Sequence, residues 1–271
     1  MPEGDTLFKI ARTLGAVLTG KPIASVKSSN PKIVAGKLAG QTVANVEARG
    51  KNLLIHLGDG RVLWSHLMMS GSWHVYRTGE QWKRPARQLK LSIDVDGFCA
   101  ALFNAAVCEL LTAAELAQHP RLKLGPDASA PGFDAAEATR NLQALGDLAL
   151  GEAVLRQHAL AGLGNVFKSK LLFLLGQDPF VKVADLPAGK LEEIVALGRK
   201  LMLENRYTAT RITRRSLEGQ GTRWVYGRSG QPCRRCATRI KMRRQGQLGR
   251  STYYCPRCQR VPAFAKPDAA G

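Results

Sequence analysis

Cys233-Arg234-Arg235-Cys236 and Cys255-Pro256-Arg257-Cys258 are two Cys-x2-Cys pairs separated by eighteen residues. Pairs at this spacing bring four thiolates into a tetrahedron around zinc at the root of a β-hairpin or ribbon. Four buried thiols without metal are the bland alternative. Four thiolate ligands leave no open coordination position, so one structural Zn2+ is expected and catalytic zinc is not. Between Gly219 and Lys266 there are twelve Lys and Arg and no Asp or Glu. A solvated charged face mixes signs, and this element does not, which marks it as a finger that grips phosphate.

The same bias runs through the chain. It has 271 residues with 40 Lys and Arg against 21 Asp and Glu, a net charge of +19 and a pI near 10.1. Nucleic acid is the first partner that such a balance implies, ahead of an anionic membrane surface. The length suffices for two domains, each with a core. The longest helical apolar run, Leu171 to Leu175, is too short to span a bilayer, so no membrane partner is expected. The start Met1-Pro2-Glu3-Gly4-Asp5 is not a basic signal-peptide start, and six cysteines without an export signal argue for metal over disulfides. A cytoplasmic protein is expected, nucleoid-associated in a bacterium.

Moving toward the N-terminus from the finger, Leu160-Ala161-Gly162-Leu163-Gly164-Asn165 lies between two expected helices, Gly151–Ala159 and Asn165–Leu175. Gly162 and Gly164 allow positive φ and a close backbone approach. Asn165 opens the second helix, whose free N–H groups suit an anion. With Lys168 and Lys170 following, this reads either as a DNA-backbone clamp or as an ordinary helical hairpin. A further helix is expected at Ala188–Asn205. Thr112-x-x-Glu115 and Asp134-x-x-Glu137 read as capping boxes.

From Pro22 to Leu111 short apolar or alternating runs punctuated by turn residues predict strands. They are Thr42–Ala48, Asn52–Leu57, Val62–His66, Ser72–Tyr76, Leu89–Val95 and Phe98–Leu102, with hairpin turns at Gly58-Asp59-Gly60 and Asp96-Gly97. The fold class is therefore α+β, an N-terminal β-sandwich with a covering N-terminal helix, followed by a helical domain and a four-cysteine finger. The expected boundaries are 1–125 for the sandwich, 126–133 for a linker, 134–218 for the helical domain, 219–260 for the finger and 261–271 for a disordered tail.

The covering helix is predicted from Thr6 to Gly20, with Asp5 or Thr6 as its cap. Its start anchors Pro2 and Glu3. Once Met1 is removed, Pro2 offers a secondary amine that titrates near ~8. Such an amine forms a Schiff base whose iminium stays charged and acts as an electron sink, with Glu3 as the adjacent acid/base group. Lys51, in Glu47-Ala48-Arg49-Gly50-Lys51 at a strand junction, either holds a phosphate or is a solvated turn lysine. In His66-Leu67-Met68-Met69-Ser70-Gly71-Ser72-Trp73 the two methionines either fill core or form an apolar wedge for a base stack. His56, His74, His119, His158, Cys99 and Cys108 lack ligand spacing and read as structural.

Taken together, these motifs resemble the formamidopyrimidine-DNA glycosylase/endonuclease VIII family, in family order from Pro2 to about Arg260. The resemblance implies a β-sandwich joined to a helix–two-turn–helix domain carrying the zinc finger. It also implies a bifunctional DNA glycosylase/AP lyase of base excision repair, monomeric, acting on damaged DNA, most readily duplex. By resemblance Pro2 is the nucleophile at C1′, Glu3 the acid/base residue, and Lys51 a phosphate contact that supports elimination. Asn165 and Arg250 are backbone grips, with Gly162 and Gly164 in the two-turn connection. Met69 is the wedge, with Met68 and Ser70 beside it. Thr6 stands where a carboxylate is commoner. Phe103-Asn104-Ala105-Ala106-Val107 lacks the Arg and Phe of the purine-directed branch, and Tyr207 to Arg223 is short for its lesion-capping loop. Oxidised pyrimidines are therefore expected, with 8-oxoguanine and formamidopyrimidines as the alternative. A non-catalytic zinc-finger DNA-binding protein explains the charge but not Pro2-Glu3.

Overall fold

The computed structural model describes residues 2–208 and 223–261. The chain divides into two compact units, Met1–Pro131 and Gly132–Gly271.

In the first unit, helix α1 spans Gly4–Leu18 and buries Leu7, Ala11, Leu14 and Leu18. It begins two residues earlier than the sequence suggests. Asp5 and Thr6 are not its cap: Glu3 has the extended backbone of an N-cap, and its carbonyl accepts from Thr6 N at 2.9 Å and Leu7 N at 3.1 Å. Asp5 lies inside the first turn, where a carboxylate suits the helix dipole. It accepts from Thr6 Oγ1 at 3.2 Å and lies 3.8 Å from Lys9 Nζ.

The strands are β1 (Ser25–Ser28), β2 (Val43–Arg49), β3 (Asn52–Leu57), β4 (Val62–His66), β5 (Ser72–Arg77), β6 (Leu89–Val95), β7 (Phe98–Phe103) and β8 (Val107–Leu111). They form two antiparallel four-stranded sheets, ordered β1-β6-β7-β5 and β2-β3-β4-β8. β1 and β8 are additions to the sequence reading. Ser-Val-Lys-Ser has a single apolar residue, and only its pairing with β6 makes it a strand. The inner faces meet α1 in one core that includes Leu53, Ile55, Leu57, Ile93, Ala100 and Leu102. The outer faces are covered too. Leu54 and Trp64 pack with Leu122, near helix α2 (Ala113–Gln118), while Phe103 and Tyr76 pack with Trp82. Two covered faces explain why β3 and β7 read as near-continuous apolar runs rather than alternating ones.

The second unit holds α3 (Ala135–Gln143), α4 (Leu150–Ala153), α5 (Asn165–Leu174), α6 (Lys190–Asn205) and a hairpin of β9 (Lys241–Gln245) and β10 (Arg250–Tyr254). The helix expected at Gly151–Ala159 is a single turn, because the chain breaks into the connection that precedes α5. The Thr112–Glu115 capping box is reciprocal, and Asp134 accepts from Glu137 N at 2.8 Å. Among the described residues no helix is long and apolar enough to cross a membrane. The lesion-loop expectation for Tyr207 to Arg223 falls mostly outside the described residues, as does the tail beyond Val261.

Candidate functional site

In the first unit, Glu3 is fully enclosed and Pro2 half-buried at the positive end of α1. The terminal segment is thus held by the core, and a group there has a fixed direction. Lys51 sits in the two-residue turn joining β2 and β3, where Arg49 faces Asn52. Gly50 takes φ +58°, a left-handed conformation that favours glycine. The turn is fastened on both sides. Gly50 N donates to Asp127 Oδ2 at 2.6 Å, while Asp127 Oδ1 accepts from Ser129 N and Oγ at 2.8 Å each. Asn52 Nδ2 donates to Arg49 O at 3.1 Å, and Trp64 Nε1 donates to Asn52 Oδ1 at 3.0 Å. Lys51 therefore leaves a rigid platform, unlike a lysine on a loose turn.

Two neighbours of Lys51 went unnoticed in the sequence. Asp127 is one, seventy-seven positions from the glycine that it holds. The other is His66, which pairs with Asn52 in the β3–β4 register. Burial, followed by the charges of Lys51 and Arg121, pushes the His66 pKa below its usual value. Its Nδ1 accepts from Met68 N at 3.1 Å, so the neutral ring ties the methionine loop to β4. A correct hairpin register would have placed His66 beside Lys51.

The methionine loop leaves the core to other residues. Leu67 and Trp73 are buried, whereas Met68 is 45% and Met69 73% exposed. Met68 has φ +51°, a left-handed conformation unfavourable for a side-chain-bearing residue. Gly71 is sterically required, since a Cβ there would lie 2.6 Å from Leu67 O. Beside this loop, Phe103 is fully buried and Ala105 5% exposed. Asn104 (φ +50°) is tied to Gln88 by 2.9 Å bonds from both N and Nδ2. This segment projects neither an aromatic ring nor a guanidinium.

In the second unit, Gln157 organises the connection ahead of α5. Its Nε2 donates to Leu155 O and Leu163 O at 3.0 and 3.1 Å, and its Oε1 accepts from Gly162 N at 3.1 Å. Gly162 has φ +94°, as the sequence suggested, but Gly164 is an extended N-cap at φ −127° that any residue could adopt. Asn165 opens α5 and is 5% exposed. Lys168 is not an outward clamp. It is wholly buried, with Nζ donating to Thr252 Oγ1 at 2.7 Å and Ser251 O at 3.3 Å. Thr252 Oγ1 donates on to Gln245 Oε1 at 2.8 Å, and Gln245 Nε2 to Pro179 O at 2.8 Å. This chain bolts the β9–β10 hairpin to α5. Lys170 is 7% exposed, and burial depresses its pKa.

The four cysteine sulfurs all lie within 4.8 Å of one another. Three pairs are 3.4–3.8 Å apart. At a Zn–S length near 2.3 Å a tetrahedron has edges of about 3.8 Å, so the donor set fits zinc. The amides of Arg235 and Cys258 also donate to Cys233 Sγ and Cys255 Sγ at 3.4 Å, which stabilises thiolate charge. Arg250 begins β10 opposite Gln245, at the mouth of the hairpin tip. Cys99 and Cys108 lie elsewhere, and burial pushes both thiols up to about 12, so neither is a thiolate at neutral pH.

The model of the formamidopyrimidine-DNA glycosylase N-terminal domain matches residues 1–105, and that of a zinc finger found in FPG and IleRS matches residues 230–261. The probable endonuclease 8 2 of Streptomyces coelicolor is 40% identical over 97% of this chain and 95% of its own length. The chain belongs to the formamidopyrimidine-DNA glycosylase/endonuclease VIII family. Another relative, the DNA-(apurinic or apyrimidinic site) lyase Nei2 of Mycolicibacterium smegmatis, is 34% identical over 96% of this chain and 99% of its own. Within the family, the Lactococcus lactis Fpg solved with abasic-site DNA shares the fold at a TM-score of 0.78 and 22% identity, over 95% of this chain and 99% of that one.

Proposed function

We propose that this chain, a DNA glycosylase/AP lyase of base excision repair, removes oxidised pyrimidines through a Schiff base on Pro2. The observation that supports the chemistry is the N-cap position and full burial of Glu3, the residue next in sequence to the terminal amine. With Met1 removed, the Pro2 nitrogen attacks C1′ and the base departs with a proton. Glu3 assists opening of the sugar ring. The cationic iminium then draws electrons as the proton at C2′ is lost and the 3′-phosphate leaves. A second elimination releases the 5′-phosphate. Lys51 holds a phosphate beside the lesion from its fixed turn, and Asn165 and Arg250 grip the backbone. Gly162 shapes the approach to Asn165, while Met68, Met69 and Ser70 fill the gap left in the stack. One structural Zn2+ on Cys233, Cys236, Cys255 and Cys258 holds the finger, and the protein acts as a cytoplasmic monomer on duplex DNA.

Preference for pyrimidines is supported by the inward-folded segment at Phe103–Ala105, which offers the opposite strand no ring or guanidinium. Excision assays on end-labelled duplexes should give faster release of dihydrouracil than of 8-oxoguanine. The reverse ranking would assign the chain the purine lesions. The covalent step has its own test. A residue retained before Pro2 turns the amine into an amide whose lone pair is delocalised. Such protein should bind abasic duplex yet give no borohydride-trapped adduct. Trapping equal to that of the free-proline form would remove Pro2 as nucleophile and leave the DNA-binding reading.

A further inference from the structure

Buried polar atoms in folded proteins are nearly always hydrogen-bonded. In α5, Asn165 Oδ1 and Ser169 Oγ are both enclosed, and neither has a hydrogen-bond partner among the described residues. Asn165 is 5% and Ser169 2% exposed. They stand four apart in the helix, so their side chains are neighbours on one face. One is an acceptor only, while the other has a proton to give. A carboxamide is nearly symmetric in shape, and only hydrogen bonding decides which end faces outward. With oxygen outward it repels a phosphate; with nitrogen outward it donates.

We infer that Ser169 is a positioning residue for Asn165, its hydroxyl proton engaging Asn165 Oδ1 when DNA binds so that Nδ2 faces the phosphate. The inference rests on the reading of Asn165 as a backbone grip. Ser169 stands in the second turn of α5, one turn beyond Asn165, and in this role it acts through Asn165 and not on DNA.

A packing role and a positioning role predict opposite signs. Ser169→Ala removes a desolvated hydroxyl and installs the best helix former. Its melting temperature should therefore equal or exceed that of the wild type. Its affinity for an abasic-analogue duplex, read by fluorescence anisotropy, should nevertheless fall about fivefold, the loss expected for one net hydrogen bond. In an Asn165→Ala background the same substitution should have no further effect on affinity, a non-additive cycle. Unchanged affinity in Ser169→Ala, or an equal loss in both backgrounds, overturns the inference and leaves Asn165 as a grip. If Asn165→Ala itself binds as tightly as wild type, the grip reading fails first, and the inference with it.

Discussion

The β2–β3 turn of the first unit and the opening turns of α5 in the second each carry a lysine beside a glycine-containing bend. Their side chains do different work. Lys51 is half-exposed on a turn pinned by Asp127, whereas Lys168 is enclosed with its head on Thr252 and Ser251. Net charge counts cations without saying where they point. A buried ammonium needs oxygen partners arranged around it, and Lys168 has them, so part of the +19 serves as an internal fastening rather than a contact surface. Lys168 is therefore no part of an exposed cationic surface.

The largest separation between the two units should come from removing the metal. Cys255→Ser, or chelation under denaturing conditions, should lose about one equivalent of zinc, because four deprotonated ligands hold it. Phosphate contacts dominate affinity, so loss of the finger should lower duplex affinity by roughly two orders of magnitude. In Cys255→Ser, under native conditions, the sandwich should stay folded by circular dichroism. Intact binding without metal would break the assignment of the finger.

The two lysines themselves give the next effect, as a double dissociation. Lys168→Met should lower the stability of the second unit by about 2 kcal/mol, the scale of hydrogen bonds to a charged donor. Lys51→Met should leave the melting temperature unchanged while strand cleavage falls. Equal melting temperatures for both variants would mean that the bolt through Thr252 carries no weight.

A smaller change tests the strained loop beside Lys51. Left-handed backbone costs a side-chain-bearing residue about 1–2 kcal/mol, and Met68 holds φ +51°. Met68→Gly relieves that cost but gains unfolded-chain entropy. Stability should therefore rise by less than about 1 kcal/mol in chemical denaturation. A clear loss of stability would mean that the Met68 side chain packs more firmly than its exposure implies.

Some of these features were legible in the sequence and others were not, for physical reasons. Strands β3, β4 and β6 coincide with their apolar runs, because burial on a covered sheet demands such runs. The four cysteines were legible because zinc chemistry fixes their spacing. β1 was invisible, since its strand character comes from β6 across sixty-odd residues. Asp127 was invisible for the same reason, and the cap at Glu3 was missed because backbone geometry rather than side-chain type sets it. Lys168 was legible as a charge and illegible as a buried one, because burial is a property of the fold.

The smallest effect concerns His66, which links the methionine loop to the Lys51 turn. Its neutral ring accepts from Met68 N through Nδ1, and protonation would place a donor against that N–H. Burial is the larger cause of its lowered pKa, with Lys51 and Arg121 adding to it. A free histidine titrates near 6.5, so just below that pH the unfolded chain takes up a proton that the folded chain refuses. The contribution of His66 is thus complete above about pH 6.5 and is lost as pH falls through the lower folded value. His74 is shifted in the same direction by burial and by Arg84 and Lys83, so it must be separated by its own variant. Urea midpoints should fall between pH 7.5 and pH 5.5 in wild type, and fall less in His66→Gln. His74→Gln should leave the Met68 amide exchanging as slowly as in wild type, whereas His66→Gln should speed it at every pH. If Met68 exchange is indifferent to His66, the two sides of the loop are not coupled through this ring, and Lys51 stands on its turn without help from β4.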